Sequence, residues 1–356
     1  METSYSGKPY FFVPMVSRAD RRRALNRQNL LAADTFVGKL NVKIECMTPL
    51  HFGSGQLMFD ESAKRFAQAL LREDGHISLS GSSFKGMLRA VFEAVSESCV
   101  LNAPRALPIK VEGLSPCTSN SGLCPACSVF GRLSHKGKLT LSSFYTDAKP
   151  TIMSLPRLEQ PFRTYPRPRG GERNPFTGNE RLYYGKFRDV RGIAVAKMSK
   201  VDFFEKKKQE PRSGGSFYGR KFYKHSNNWD ELSRQSGKGL YECLQKGTVL
   251  TGKIAYQGLM KDELGALLFA LGLGWDKPIF HKLGYAKPAY LGSVQLTVES
   301  ELLPRYEDAP IDAKKIAARY YDENKSSIEA AVCALAQEWS EIGDSKWVMQ
   351  DGKYGY

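Results

Sequence analysis

Three cysteines lie within eleven residues, at a spacing that suits a metal ion: Cys117, Cys124 and Cys127 form the pattern Cys-x6-Cys-Pro-Ala-Cys. The short Cys-Pro-Ala-Cys segment lets two sulfurs face one ion, as tetrahedral zinc requires. A fourth ligand must come from elsewhere, with Cys99 as the first candidate and His135 as the second. We therefore predict a structural zinc site, and the alternative is a loop of ordinary thiols.

Two segments rich in glycine and serine could bind phosphate through their backbone N–H groups. The first, His51-Phe52-Gly53-Ser54-Gly55, follows a predicted strand and could equally be a simple turn. The second, Gly81-Ser82-Ser83-Phe84-Lys85-Gly86, opens a predicted helix, whose N-terminus favours an anion. Lys85 and Arg89 are four residues apart on one helical face and could meet adjacent phosphates. The alternative for the second segment is a capped surface helix.

Two further segments mix cations with aromatic rings, a combination that neutralises phosphates and stacks on bases. Segment 284–292 contains Tyr285 and Lys287 and precedes a predicted strand. Segment 157–238 contains 20 lysines and arginines, 9 acidic residues and 13 aromatic residues. Its cations include Arg191, Arg220 and Lys221. We predict that both segments contact RNA.

Few residues point to catalysis. Asp60 and His51 flank the first glycine segment. The carboxylate could hold Mg²⁺ for phosphodiester cleavage, and the histidine could act as a general base. Either residue could instead form ordinary hydrogen bonds in a loop. The sequence contains no Walker loop, nucleophile elbow, HExxH motif or dinucleotide-binding fingerprint.

Hydrophobic periodicity predicts alternating strands and helices around these segments. In chain order they are a strand at 38–46, a strand at 76–79, a helix at 84–98 capped by Ser82 or Ser83, a strand at 138–145, a strand at 248–256, a helix at 261–271, a strand at 293–298, and one or two helices at 310–341. Two β–α–β halves predict an α+β fold of the ferredoxin-like kind, which RNA-recognition domains also use.

Composition and pattern divide the chain into four parts. These are a basic N-terminal arm at 1–37, a core at 38–148 and 243–303 with the zinc loop at 99–135, an insertion at 149–242, and a helical tail at 304–356. The insertion is too aromatic for simple disorder and too irregular for a core, which is typical of an extension that projects from a compact domain.

The overall charge favours a polyanionic partner. There are 52 lysines and arginines against 37 acidic residues, a net charge of +15 and a pI near 9.4. No stretch approaches the roughly 18 apolar residues of a membrane span, and the N-terminus lacks the pattern of a signal peptide. Seven cysteines, an odd number, suit a reducing compartment. We therefore predict a cytoplasmic protein without a membrane partner.

Four segments together resemble motifs of the RAMP superfamily of CRISPR-associated proteins. They are TPLHFGSG at 48–55, SGSSFKGMLR at 80–89, CPACSVFG at 124–131 with GKLTLSSF at 137–144, and the glycine loop at 284–292. The second is close to the family pattern PGSSxKGxxR. These segments span the core, which is about half of the chain.

The resemblance implies a ferredoxin-like core that binds guide RNA and assembles with copies of itself or with other CRISPR effector subunits. It is strongest to the backbone subunit of type III effectors, in which an inserted thumb passes between guide and target RNA. Residues 149–242 would be that thumb. Ser82, Ser83, Lys85 and Arg89 match the contacts to the guide backbone.

Backbone subunits that cut target RNA carry an aspartate at a set distance before the GSSxKG motif. The matching position here is Arg65, so only Asp60 could serve, after a rearrangement of the loop. The resemblance therefore favours a guide-binding subunit for antiviral defence, structural or capping the guide end. The alternatives are a metal-dependent target-RNA endonuclease using Asp60, a guide-processing ribonuclease using His51, and a protein adaptor.

Overall fold

The computed structural model describes residues 9–16, 34–100, 117, 122–155, 219–227, 229, 239–299 and 312–343. The predicted insertion and tail are thus described in part, and Arg191 lies outside the described residues. The described residues combine strands with a few helices, which confirms the predicted α+β class.

The strands of the described residues are numbered in chain order. They are β1 Tyr10–Val13, β2 Phe36–Cys46, β3 Gly53–Asp60, β4 Arg65–Leu70, β5 Arg72–Glu73, β6 His76–Leu79, β7 Leu139–Leu141, β8 Phe144–Thr146, β9 Thr151–Leu155, β10 Arg220–Tyr223, β11 Gly239–Cys243, β12 Val249–Leu259, β13 Phe280–Lys282 and β14 Ser293–Glu299. The α-helices are α1 Gly81–Ala94, α2 Pro125–Phe130, α3 Lys261–Ala270 and α4 Ala313–Trp339. A 3₁₀ turn covers Lys287–Ala289.

An eight-stranded sheet forms the core, in the order β13-β14-β2-β12-β8-β6-β5, with β7 also paired to β12. Every pairing in this sheet is antiparallel. In the chain, α1 lies between β2 and β8, and α3 connects β12 to β14. Each of the two β–α–β halves of the chain therefore contains one helix, α1 in the first half and α3 in the second.

Strand β2 shows why the sheet buries only one face. Leu40, Val42 and Ile44 are buried, while the residues between them are exposed, which is the period-two pattern of a half-buried strand. Helix α1 covers the apolar face, and its Phe84 ring lies 4.4 Å from the ring of Phe144 on β8. The opposite face of the sheet remains polar.

A second sheet, in the order β3-β4-β11-β9, was not expected from the sequence. The segment predicted as a glycine turn is the start of β3, because Gly53 already pairs with Leu70. Strands β9 and β11 pair antiparallel along their full lengths. The two ends of the predicted insertion therefore meet as a paired stem within this sheet.

Strands β1 and β10 form a third, two-stranded sheet that packs on the C-terminal helix α4. The buried Trp339 ring contacts the rings of Phe11 and Phe222, and its Nε1 donates a hydrogen bond to the Tyr223 carbonyl at 3.2 Å. The tail predicted as one or two helices is thus one helix. Within the described ranges, no helix has the length and hydrophobicity needed to span a membrane.

Several predicted boundaries were wrong. Helix α1 begins three residues before the predicted 84 and ends at Ala94, four residues before the predicted 98. Its N-cap is Ser80 rather than Ser82 or Ser83, and Ser80 Oγ accepts a hydrogen bond from the Ser83 amide at 3.3 Å. Several neighbouring serines could serve as caps, and only the backbone conformation selects one. The strand predicted at 138–145 is divided into β7 and β8, with Ser142 between them donating a backbone hydrogen bond to Lys253.

Gly292 lies in the loop before β14, at a point where the backbone packs closely against Leu283. It has φ +72°, and an added Cβ would overlap the Leu283 carbonyl oxygen. Gly247 also has a positive φ, +84°, but an added Cβ there would meet open space. We expect Gly247→Ala to cost about 1 to 2 kcal/mol of unfolding free energy, and Gly292→Ala about 1 to 3 kcal/mol more. Chemical denaturation of both variants measures this, and equal losses would contradict the packing described.

Candidate functional site

Four cysteine sulfurs converge in a buried cluster beside α2. The Sγ atoms of Cys99, Cys117, Cys124 and Cys127 all lie within 4.8 Å of one another. Cys99 Sγ is 3.6 Å from Cys124 Sγ and 3.7 Å from Cys127 Sγ. Four thiolates arranged tetrahedrally around zinc, each at about 2.3 Å, would be separated by about 3.8 Å. The donor set and its spacing therefore fit a four-cysteine zinc site.

Hydrogen bonds from N–H groups point at the sulfurs. The Cys124 amide donates to Cys117 Sγ at 3.2 Å, and the Cys127 amide donates to Cys124 Sγ at 3.4 Å. Arg89 Nη2 donates to Cys127 Sγ at 3.6 Å. Hydrogen bonding with Cys124 lowers the pKa of Cys117, while hydrogen bonding with Cys117 raises the pKa of Cys127. Donors of this kind orient and stabilise metal-bound thiolates.

A buried carboxylate connects this cysteine cluster to the rest of the molecule. Glu93 on α1 accepts hydrogen bonds from Arg89 Nε at 2.8 Å and from Arg220 Nη1 at 2.7 Å. Arg220, only 6% exposed, also donates to the carbonyls of Ser98 and Cys99 at 2.9 and 3.1 Å. Through these contacts, β10 holds the backbone that carries the first cysteine of the cluster.

Arg89 makes a similar connection to the end of α2. Its Nη1 donates to the Gly131 carbonyl at 2.7 Å, in addition to the contacts with Glu93 and Cys127. Arg89 and Arg220 were both predicted to meet RNA. In the structure, their guanidinium groups bind partners inside the protein, and they position the cysteine cluster.

The first glycine segment, predicted to bind phosphate, lies against the loop at 284–292, which was predicted to contact RNA. The Tyr285 amide donates to the His51 carbonyl at 2.8 Å, and the Gly292 amide donates to the Pro49 carbonyl at 3.0 Å. Gly284 has φ +77°, and an added Cβ would overlap the His51 carbonyl. Residues 48–55 and 284–292, far apart in sequence, therefore pack as one unit, which we call the glycine surface. Most of these residues are buried, and its exposed members are Gly53, Gly55 and Tyr285.

An aromatic group lies at the edge of the glycine surface. The rings of Tyr241 and Tyr285 stack at 5.2 Å, and the His51 ring lies 5.1 Å from Tyr241 in a T-shaped arrangement. His51 Nδ1 is 2.7 Å from the Glu242 carbonyl oxygen, and burial lowers the pKa of His51. The histidine is therefore neutral near pH 7 and acts here as a packing and hydrogen-bonding group.

An ion pair that the sequence did not reveal fixes the second sheet behind this group. Arg72 donates to both carboxylate oxygens of Glu242, each at 2.8 Å, and the Leu70 amide donates to Oε2 at 2.8 Å. Burial acts to raise the pKa of Glu242, but the hydrogen bonds from Arg72 and Leu70 lower it below the usual value. The partners are 170 residues apart, so no local pattern could have indicated the pair.

Two predicted cations, Lys287 and Lys221, contact nearby groups of the protein. Lys287 Nζ donates to the Gly284 carbonyl at 2.7 Å, and burial lowers its pKa. Lys221 Nζ lies 4.0 Å from the centre of the Tyr10 ring. Lys287 thus belongs to the glycine surface, whereas Lys221 belongs to the small β1–β10 sheet.

The N-terminus of α1 forms a separate small-residue surface. Ser82 and Ser83 are exposed, and Lys85 Nζ lies 3.4 Å from the Leu139 carbonyl. An added Cβ at Gly81 would overlap the carbonyl oxygens of Leu141 and Ser142. The backbone here therefore passes close to the β7–β8 connection, which only glycine permits.

Asp60 stabilises the turn between β3 and β4. Its carboxylate accepts hydrogen bonds from the Ser62 hydroxyl at 2.9 Å and from the amides of Ser62 and Ala63 at 3.3 and 3.2 Å. Ser54 Oγ donates to the Ala69 carbonyl at 3.1 Å and so ties the beginning of β3 to β4. These contacts give Asp60 and Ser54 clear structural roles in the hairpin.

Removing the charge of Glu93 tests whether this carboxylate is the counter-charge of both Arg89 and Arg220. We expect Glu93→Gln to lower the unfolding free energy by about 3 to 5 kcal/mol, because two buried guanidinium groups lose their counter-charge. The matched control is Glu323→Gln, since Glu323 pairs with Arg319 on the exposed face of α4 and should contribute only about 0.3 to 0.5 kcal/mol. Chemical denaturation measures both, and similar losses in the two variants would contradict the role given to Glu93.

Comparison with known proteins places the chain in a family. The family model of the RAMP superfamily matches residues 43–271, which include α1, the cysteine cluster and most of the central sheet. No protein with a curated description matches. The solved structure described as "Type IV-B CRISPR Complex" is 17% identical, with 77% of this chain and 96% of that chain covered and a TM-score of 0.31. On the match over residues 43–271, the chain belongs to the RAMP superfamily.

Proposed function

We propose that this chain is a guide-RNA-binding subunit of a CRISPR effector complex similar to those of type III. The observation that carries the proposal is the glycine surface. Its first segment, 48–55, follows β2, its second segment, 284–292, precedes β14, and both resemble family motifs. At this place the backbone at Gly53 and Gly55 is exposed, as is Tyr285, which allows an RNA backbone to approach closely.

The mechanism is capture of the RNA backbone. Cationic side chains neutralise phosphates and release counterions, which gives affinity without reading the base sequence. Base pairing between the guide and a target RNA then supplies specificity. Lys85, Lys287 and the exposed serines Ser82 and Ser83 are the proposed contacts. Each of the two lysines donates one hydrogen bond to a carbonyl of the protein, out of the three that an ammonium group can make. Arg89 and Arg220 are left out because each guanidinium makes three hydrogen bonds inside the protein.

The strand order supports a ferredoxin-like core. Strands β14, β2, β12 and β8 are neighbours in that order, and each half of the sheet contributes one helix. The paired stem of β9 and β11 supports an inserted thumb that leaves the core within residues 155–239 and would meet the guide and target strands. Strand β10, which lies in the same range, packs on β1 and α4 and is not part of that thumb. Copies of this chain or other effector subunits would continue the assembly along the RNA.

The proposal assigns no catalytic step to this chain. The Asp60 carboxylate is held by three hydrogen bonds within its own turn, and His51 is buried and bonded to a backbone carbonyl. Both arrangements support structural roles. The cysteine cluster is proposed to hold a structural zinc ion, because four sulfur ligands leave no position for a reactive water.

Binding of RNA by the full chain tests the proposed function. We expect single-stranded RNA to bind at low salt, with log affinity falling linearly as log salt concentration rises. Lys85→Gln should weaken binding and reduce that slope by about 0.7, the value for one phosphate contact on a single strand. Fluorescence anisotropy over a salt series measures both quantities.

The matched control for Lys85 is Lys315→Gln, which removes a highly exposed lysine from α4. It should leave the salt slope unchanged. If the folded chain has no affinity for RNA in dilute buffer, the proposed function is wrong. If Lys85→Gln matches the wild type, Lys85 is not a phosphate contact.

The metal content of the purified chain tests the proposed zinc site. We expect about one zinc ion per chain, and we expect Cys124→Ser to lose the metal and to unfold at a lower temperature. Cys333→Ser, at an exposed cysteine of α4, should retain both metal and stability. Elemental analysis and thermal unfolding measure these outcomes, and a metal-free wild-type chain of full stability would contradict the site.

A further inference from the structure

An exposed aromatic face lies on the second sheet, next to the glycine surface. Phe59 and Phe66 are 45% and 63% exposed, and their rings lie 5.4 Å apart in a T-shaped pair. Leu57, on the same face of β3, is 59% exposed. Exposed apolar residues grouped in this way mark an interaction surface more often than single ones do.

Strand register places further aromatic residues on the same face. Phe59 pairs with Phe66, and Leu57 pairs with Gln68, so these four side chains share one side of the sheet. Gln68 is in turn the partner of Tyr241 on β11. Tyr241 therefore projects from this side too, on the strand next to that of Phe66.

A stacked pair of rings connects this face to the glycine surface. Tyr241 stacks on Tyr285 of the loop 284–292, and β3 itself begins at Gly53 in the other glycine segment. We define the aromatic face as Leu57, Phe59, Phe66, Gln68, Tyr241 and Tyr285. A strand held by its phosphates at the glycine surface could therefore extend its bases along these rings.

The charge distribution of the second sheet favours a polyanion on this side. Asp60 directly follows Phe59 on β3, and Glu242 directly follows Tyr241 on β11. Because successive side chains of a strand point to opposite faces, both carboxylates lie on the side of the sheet opposite to the aromatic face. The residues that β3, β4 and β11 place on the aromatic face are apolar, aromatic or amide side chains. An RNA strand would meet no carboxylate from these strands, and the chain carries a net charge of +15.

We propose that the aromatic face is a stacking platform for unpaired bases of the RNA that the glycine surface binds. The inference rests on the proposed function and adds a second contact mode to it. Stacking is tolerant of base identity because every base has a π-face. The platform would therefore fix the path of the strand beyond the phosphate contacts without selecting a sequence.

The test is binding of single-stranded RNA containing 2-aminopurine to the full chain at fixed low salt. We expect the double variant Phe59→Ala with Phe66→Ala to bind about tenfold or more weakly and to lose the quenching of 2-aminopurine fluorescence. The slope of log affinity against log salt should stay at the wild-type value, because no phosphate contact is removed.

Three controls separate stacking from general apolar contact. Leu133→Ala removes an 81% exposed apolar side chain elsewhere on the surface and should change nothing. Phe66→Trp should retain binding, whereas Phe66→Leu, which keeps the apolar character but loses the ring, should not. RNA with abasic positions should bind the wild type and the double variant equally.

Two outcomes would overturn the stacking platform while the proposed function stands. One is a double variant that binds RNA and quenches 2-aminopurine as the wild type does. The other is a double variant that keeps full RNA affinity but no longer co-purifies with another effector subunit, which would make the face a protein interface. A wild-type chain without RNA affinity would instead reject both proposals.

Discussion

The arrangement of this molecule depends on the two ion pairs that the buried Glu93 carboxylate forms, one with Arg89 and one with Arg220. Glu93 lies on the helix that covers the central sheet, and it neutralises Arg89 and Arg220 at the same time. A lone buried charge would be costly, whereas this one is paired and fully hydrogen-bonded. Because the two arginines also bind carbonyls around the cysteine cluster, the helix, the cluster and strand β10 are fixed relative to one another.

Antiparallel pairing around β2 brings the proposed RNA contacts together. Strand β14 pairs with β2, so the loop that precedes β14 lies beside the loop that follows β2. Neither loop is a complete surface by itself, and hydrogen bonds across Tyr285, His51, Gly292 and Pro49 make them one. The pairing of Arg72 with Glu242 then fixes the second sheet at the edge of that surface.

Local patterns were sufficient for elements whose apolar residues repeat regularly. The strand ending at Cys46 follows from alternation, and the helix from Lys261 follows from its apolar run. The second sheet was missed because β4 pairs with β11, in which Leu240 is 173 residues from its partner Ala67, and because β3 begins with glycines. Arg89 and Arg220 look like surface cations in sequence, and only the position of Glu93 shows that they face inward. One distant contact was predicted from the sequence. Cys99 was the first candidate for the fourth ligand, and the structure brings it to the other three cysteines.

The proposed function joins the α+β core of a RAMP superfamily chain, with its proposed zinc site, to a proposed surface for an RNA backbone, and its central claim is that the natural partner is a guide RNA. The most direct measurement is the length and sequence of the nucleic acid that co-purifies with the chain from its native cells. The account predicts RNA of defined length that shares a constant segment and carries variable guide sequence. Recovery of no nucleic acid, or of DNA or RNA fragments of random length and sequence, would contradict it.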